Sequence, residues 1–218
     1  MTFPYFAKLA AMFRRKQPEA HRGFTSTESF QNKSYLPRVP ESCFDLIRHF
    51  ESCLEPTGDG RFRAYADPAH GWKVPTIGWG TIQYENGQRV AKGDVITAER
   101  AEQLLQWEVH SKADEVKSLL KVPVSDNEFG ALVSFAYNIG ADIDDDKIAE
   151  GLGDSTLLAK LNRGDREGAA REFVKWNRGD GRIMDGLTRR RMSEARLFRG
   201  EPKFIVTMEE FKRIQKRL

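Results

Sequence analysis

From Lys73 to Thr81 the chain reads KVPTIGWGT. The segment alternates like a strand, yet it places Gly78, Gly80 and Thr76 where an ordinary strand carries apolar bulk. Glycine inside a strand weakens it and marks a bulge or a close approach of another backbone. Short β-like pieces surround it, RAYAD (63–67), TIGWGTIQY (76–84) and RVAKGDVI (89–96), with Glu85-Asn-Gly-Gln88 as a hairpin turn between the last two. These predict one small sheet. Ahead of it, Ser42-x-x-Asp45 has the form of a capping box, and Cys43, Ile47, Phe50 and Leu54 fall at helical spacing up to a stop near Pro56. Behind it, Thr97 caps a long helix with Ala101, Leu104, Leu105, Val109, Ala113, Val116 and Leu120 on one stripe. Ser125-x-x-Glu128 opens the next helix, which Gly140 closes. Shorter helices are predicted near 155–162, 165–176, 187–198 (closed by Gly200) and, after Thr207-x-x-Glu210, at 208–218. One helix, a small sheet and then a helical lobe make an α+β arrangement with a cleft between its lobes.

The chain has 218 residues, enough for one sizeable core, and its 39% hydrophobic and 31% charged composition excludes a chain disordered throughout. Its net charge of +3 is uneven: residues 1–40 hold seven Lys/Arg against two Asp/Glu, and the rest is close to neutral. A folded body without a basic stripe argues against nucleic acid as a partner. The opening MTFPYFAKLAAMFRRK has its basic residues last, the reverse of a signal peptide. It reads as a frayed tail in preference to a short amphipathic helix that would bring residues 1–16 to a membrane surface. Residues 17–40 read as a linker, and Cys43 and Cys53 as reduced thiols, too far apart for a disulfide if they share a helix. The four histidines show no metal-ligand spacing, and no metal or cofactor is expected. In Asp142 to Asp146 the acids alternate as in a calcium loop, but Lys147 and Gly153 stand where such a loop needs Gly and Glu, which leaves a solvated acidic loop.

Thirty-two acidic residues make any choice of a catalytic pair demanding. Glu51 lies at the rim of the first helix's apolar face, where partial burial favours the protonated form, which can give its proton to a leaving oxygen. Asp67 ends RAYAD at a turn, a wetter setting that favours the ionised form. Two carboxyls in unlike environments across a cleft suit glycosidic hydrolysis, and the Thr76 hydroxyl can help Asp67 hold a water. Each residue also has a plain structural reading: a surface helix acid, an Asx-turn former, a β-branched strand residue.

Several motifs in one order resemble the phage-type lysozymes, or endolysins, of glycoside hydrolase family twenty-four. These are the helix-borne Glu51, AYAD (64–67) and TIGWGT (76–81), followed by GDVITAERAEQLL (93–105), FAYNIGA (135–141) and GLTRRRMSEARLF (186–198). The resemblance covers about residues 42–200 and implies a lysozyme-like fold in which a long helix joins a small β-hairpin lobe to a larger helical lobe. It implies cofactor-free hydrolysis of the N-acetylmuramic acid to N-acetylglucosamine bond of peptidoglycan. Glu51 would be the general acid, Asp67 the partner carboxylate and Thr76 the water-positioning hydroxyl. Tyr65, Gly78, Trp79, Gly80, Asn138 and Arg190 would bind substrate or support the site. Inversion is the expected outcome, with carboxyls roughly 6.5 to 9.5 Å apart. A non-lytic peptidoglycan-binding component of a virion or secretion system is the alternative.

Two intervals are longer than the family pattern: fifteen residues separate Glu51 from Asp67, and eight separate Asp67 from Thr76. The first insertion brings in Glu55 and Asp59 as rival acids. Of Arg189, Arg190 and Arg191, one is expected in a buried ion pair with Glu194 and the others at the surface. The domains implied are a basic arm (1–40), a lysozyme domain (41–200) and a C-terminal amphipathic helix (201–218), together a monomer made in the host cytoplasm that acts on the cell wall after release or export.

Overall fold

The computed structural model describes residues 37–51, 55–67, 70–144, 148, 150–179 and 181–217. The basic arm up to residue 36, Cys53, Leu54, Pro68 and the acidic-run residues Asp145, Asp146 and Lys147 lie outside the described residues.

The first helix, α1, runs Glu41–Phe50 and differs from the predicted one at both ends. Its N-cap is Pro40, in extended conformation and without a side-chain cap, so Ser42 lies inside the first turn and forms no capping box. At the other end Glu51 leaves the helix with ψ 127°, so it is the C-cap and not a rim residue of a longer helix. Cys43, Phe44, Leu46, Ile47 and Phe50 are buried in the main core, and burial pushes the Cys43 thiol well above its ordinary range.

The predicted single sheet is instead a set of two-stranded ladders. β1 (Arg61–Arg63) pairs with β4 (Val95–Thr97), and β2 (Tyr65–Asp67) pairs with β3 (Gly71–Thr76), both antiparallel. RAYAD thus belongs to two ladders, with buried Ala64 at the switch donating its N–H to the Asp94 carbonyl at 2.8 Å. The predicted strand 76–84 ends at Thr76, because Gly78 and Gly80 take φ of 58° and 105°, left-handed values that interrupt a ladder. The turn they make is closed by two hydrogen bonds between Ile77 and Thr81. The predicted 89–96 strand is likewise shortened by a turn at Lys92-Gly93, held where the Asp94 carboxylate accepts from the Ala91 N–H and the Tyr84 hydroxyl. Gln83 and Arg89 do bridge around Asn86-Gly87 as a hairpin turn requires. Ala64, Ile77 and Val90 form the small lobe's own core, too few to fold without support.

That support is α2 (Ala98–Leu119), capped by Thr97 and about 33 Å long at 1.5 Å per residue. Its first turns face the small lobe, where a Cβ on Gly78 would lie 3.3 Å from that of Ala101. Its later turns put Leu105, Val109, Ala113 and Val116 into the main core. Next comes α3 (Asp126–Ile139), opened by the Ser125/Glu128 capping box and buried along nearly its whole length. Around it pack α4 (Thr156–Leu161), α5 (Arg166–Glu172) with a short 3-10 turn at Phe173–Lys175, and α6 (Asp185–Phe198). A two-residue hairpin, β5 (Arg178–Gly179) with β6 (Arg182–Ile183), was not foreseen; α7 (Met208–Gln215) ends the chain with Phe211 buried.

Candidate active site

Six of the nine candidate residues fall into two groups, and Gly78, Trp79 and Gly80 form the turn between the lobes. Tyr65, Asp67 and Thr76 share the β2–β3 ladder: Tyr65 is the register partner of Thr76, and the burial alternation (Tyr65 and Asp67 buried, Ala66 less so; Val74 and Thr76 buried, Pro75 less so) puts them on its inner side. A register irregularity at Ala66/Asp67 re-aims the strand there. Asp67 is not wetter than Glu51, as its place at a turn implied; its side chain is 0% exposed. Its burial is compensated by hydrogen bonds, since the His70 N–H donates to Oδ1 at 2.8 Å and the His70 ring nitrogen Nδ1 lies 3.0 Å from the same oxygen. The Thr76 hydroxyl donates to the Val74 carbonyl at 3.2 Å, which keeps its lone pairs available as acceptors.

Glu51, Arg190 and Asn138 form the second group, inside the helical lobe. Glu51 is 2% exposed, and its Oε1 accepts from Arg190 Nη1 at 2.6 Å. Its Oε2, also buried, has no hydrogen-bond partner among the described residues. A guanidinium thus faces one oxygen of this buried carboxyl. Arg190 turns its Nε to Glu194 Oε1 (3.2 Å) and its Nη2 to the Ser134 carbonyl (3.4 Å). Ser134 Oγ donates to the same Glu194 oxygen at 2.9 Å, Arg191 Nη1 stands 3.1 Å from Glu194 Oε2, and another Arg191 nitrogen donates to Asn138 Oδ1.

Two arginines are thus fully buried where one was expected, balanced by two carboxylates, while Arg189 is only half-buried. Burial opposes the Arg190 charge, but Glu51 and Glu194 together outweigh it and its pKa lies above the ordinary arginine value. Burial pushes Arg191 down to about 10, Glu194 opposing the shift and Arg190 adding to it. The i,i+4 spacing of Arg190 and Glu194 was visible in the sequence; the parts played by Ser134, Arg191 and His70 were not, because the first two act across helices and His70 acts through a turn.

Helix α3 carries both groups' supports. Ser134 and Asn138 face the charge network, and the Tyr137 hydroxyl donates to the Trp79 carbonyl at 3.1 Å, tying the Gly78–Gly80 turn to the helical lobe. Trp79 is partly buried and packs against the main core. The rival acids are elsewhere: Glu55 is exposed, and Asp59 is exposed and held below the usual carboxylate range by Arg61. Asp142 uses its Oδ2 to accept the Glu150 and Gly151 N–H groups, a turn-capping role. A cavity of about 450 Å³ lined by Ser125, Glu128, Arg166 and Arg199 contains none of the nine candidates, and its charges pair with one another or with Glu167.

A small β-hairpin lobe joined by one long helix to a helical lobe is a lysozyme-like α+β fold. More narrowly, the chain belongs to the phage lysozyme family, whose model matches residues 56–194. Asp67 and Thr76 lie inside that span, and Glu51 just before it. The endolysins of Bacillus phage B103 and Bacillus phage PZA are 40% and 42% identical to it over 161 and 168 residues, 73% and 76% of this chain. The chain spans only 53% and 57% of those two proteins. The solved endolysin from Escherichia coli O157:H7 phage FAHEc1 is 35% identical with a TM-score of 0.62, the alignment covering 78% of this chain and 96% of that one.

Proposed function

We propose that the protein is an endo-acting muramidase that hydrolyses the β-1,4 bond from N-acetylmuramic acid to N-acetylglucosamine in bacterial peptidoglycan, acting as a monomer on the cell wall through the domain at 41–200. What supports this reading, beyond family membership, is the Glu51 carboxyl. It is buried, one oxygen is taken up by Arg190, and the other has no partner among the described residues. With its proton on Oε2 the buried carboxyl holds a donor without an acceptor, at a cost of about 1 to 3 kcal/mol, and a leaving glycosidic oxygen at that position would accept the hydrogen bond and then the proton. Glu51 then serves as general acid through Oε2, while Oε1 keeps the Arg190 contact before and after transfer.

Asp67 takes the role of partner carboxylate. Thr76, having spent its proton on Val74, accepts a hydrogen bond from the attacking water and aims its other proton at Asp67, which takes that proton as the water oxygen bonds to the anomeric carbon. Attack from the face opposite Glu51 inverts the anomeric carbon, which corresponds to carboxyls roughly 6.5 to 9.5 Å apart. Tyr65, Gly78, Trp79 and Gly80 shape the hairpin side, and Arg190 and Asn138 hold the acid side.

Digestion of purified peptidoglycan followed by analysis of the new reducing ends tests the bond. Reducing N-acetylmuramic acid is expected, first formed as the α-anomer; reducing N-acetylglucosamine would overturn the assignment. Glu51→Gln should lower the rate by about 10² to 10⁴, the usual range for a positioned general acid. Wild-type binding to the wall without any new reducing ends would instead identify a non-lytic binding component.

A further inference from the structure

The interval between Asp67 and Thr76 contains, just ahead of β3, a residue that none of the site assignments uses. His70 presents two nitrogen atoms to one oxygen of Asp67: its backbone N–H at 2.8 Å and ring Nδ1 at 3.0 Å from Oδ1. The partners differ sharply in environment, the Asp67 side chain being 0% and the His70 side chain 42% exposed. With the Asp67 carboxylate as acceptor, the ring nitrogen is the donor, which places a hydrogen on Nδ1.

We propose that His70 is a positioning residue for Asp67, a clamp supplied by the insertion that fixes the rotation of the carboxylate which activates the water. This rests on the reading of Asp67 as the partner carboxylate. The backbone N–H caps the turn, and the ring brings a second nitrogen of the same residue to the same oxygen from another direction. With Oδ1 engaged twice, the plane of the carboxylate is set, and with it the direction along which a water between Asp67 and Thr76 is held. A base whose orientation is fixed by a neighbouring side chain is a recurring arrangement in acid–base sites. The interval between Asp67 and Thr76 exceeds the family pattern, and His70 stands in it immediately before β3.

Three substitutions read the clamp, because the side chains differ in where they place nitrogen. Asparagine Nδ2 is attached as imidazole Nδ1 is, whereas glutamine Nε2 falls where the outer ring nitrogen would be. His70→Ala should lower kcat by about 10- to 100-fold, the scale of a misplaced catalytic group, with KM within about threefold of wild type. His70→Asn should recover to within about threefold of wild-type kcat, and His70→Gln should resemble alanine. Since His70 is exposed, the thermal midpoints of all three should stay close to wild type, which keeps a folding defect distinguishable. In long-range proton–nitrogen spectra of the full-length protein, the His70 signals should show the Nδ1-protonated tautomer and shift in Asp67→Asn. Equal activity of His70→Ala and wild type, while Asp67→Asn is inactive, would overturn the clamp and leave Asp67 in its role. Better recovery with glutamine than with asparagine would also overturn it, by assigning the effect to the outer ring nitrogen. An active Asp67→Asn would overturn the reading of Asp67, and the clamp with it.

Discussion

Arg190 reaches three acceptors on three parts of the chain: Glu51 at the end of α1, the Ser134 carbonyl on α3 and Glu194 on its own helix. Only a planar guanidinium with a fork of donors can do this, so charge alone does not define the position. Arg190→Lys keeps the charge but not the fork. We expect it to lose about 1 to 3 kcal/mol of stability in urea unfolding, from the polar groups left without partners, and to reduce hydrolysis by at least about tenfold because Glu51 loses its fixed contact. Arg190→Met removes the charge and leaves Glu51 and Glu194 with Arg191 alone, which should cost about 3 to 5 kcal/mol in the same measurement. If the two variants were equally stable, the charge would contribute nothing and the network would be explained by shape. At this scale the sequence yielded the acidic residues but misjudged their surroundings. Asp67 was expected to be wet because it ends a strand at a turn; a turn that folds its own donors onto the carboxylate buries it instead. The second buried arginine was illegible for a similar reason, since helical spacing says which way Arg191 points but not that Asn138 waits there on another helix.

At the level of elements, the helix starts defined by Thr97, Ser125, Ser155 and Thr207 are real caps whose side chains accept the expected N–H groups. They were readable because a cap is a local bond over three residues. Ser42 failed because the extended Pro40 already sets the helix start. Most of the strand boundaries failed because ladder partners lie far apart in sequence: nothing near Arg61 announces that it faces Thr97. The same locality governs how α7 is held. It docks through buried Phe211 and an ion pair of Glu210 with Arg196 on α6, at 2.7 Å. The hydrogen bond from Arg196 holds the Glu210 carboxyl below its ordinary value of 4.5. A carboxyl depressed in the folded state stabilises it above the unfolded pKa, and that contribution is lost as pH falls through the folded value. Amide exchange in 208–215 should therefore accelerate below about pH 4.5 before the main core responds. Glu210→Gln should show the faster exchange already at neutral pH, with a weaker acid dependence; an unchanged exchange profile in that variant would assign the docking to Phe211 and the hydrogen bond from Gln215 to Asp185.

For the whole molecule, the question is what keeps the small lobe in register with the helical lobe, because its three-residue core cannot do so unaided. Two attachments lie on α2: the close approach of Gly78 to Ala101 and the ion pair of Arg100 with Glu85 at 2.5 Å. A further one crosses to α3, where the Tyr137 hydroxyl holds the Trp79 carbonyl. The Trp79 turn directly follows Thr76, and Tyr137 directly precedes Asn138, so this bond joins the hairpin with Asp67 and Thr76 to the helix that braces Glu51. Tyr137→Phe removes one hydroxyl from a buried ring and keeps its packing. It should cost about 1 kcal/mol in denaturant unfolding, the net value of one such bond. If the lobes must hold Glu51 and Asp67 at a set separation, its effect on hydrolysis should exceed that small loss, lowering kcat by about tenfold in a protein that remains fully folded at the assay temperature. A variant with the stability loss but wild-type kcat would mean that α2 alone sets the spacing of the lobes, and the bond from Tyr137 would then be a matter of stability only.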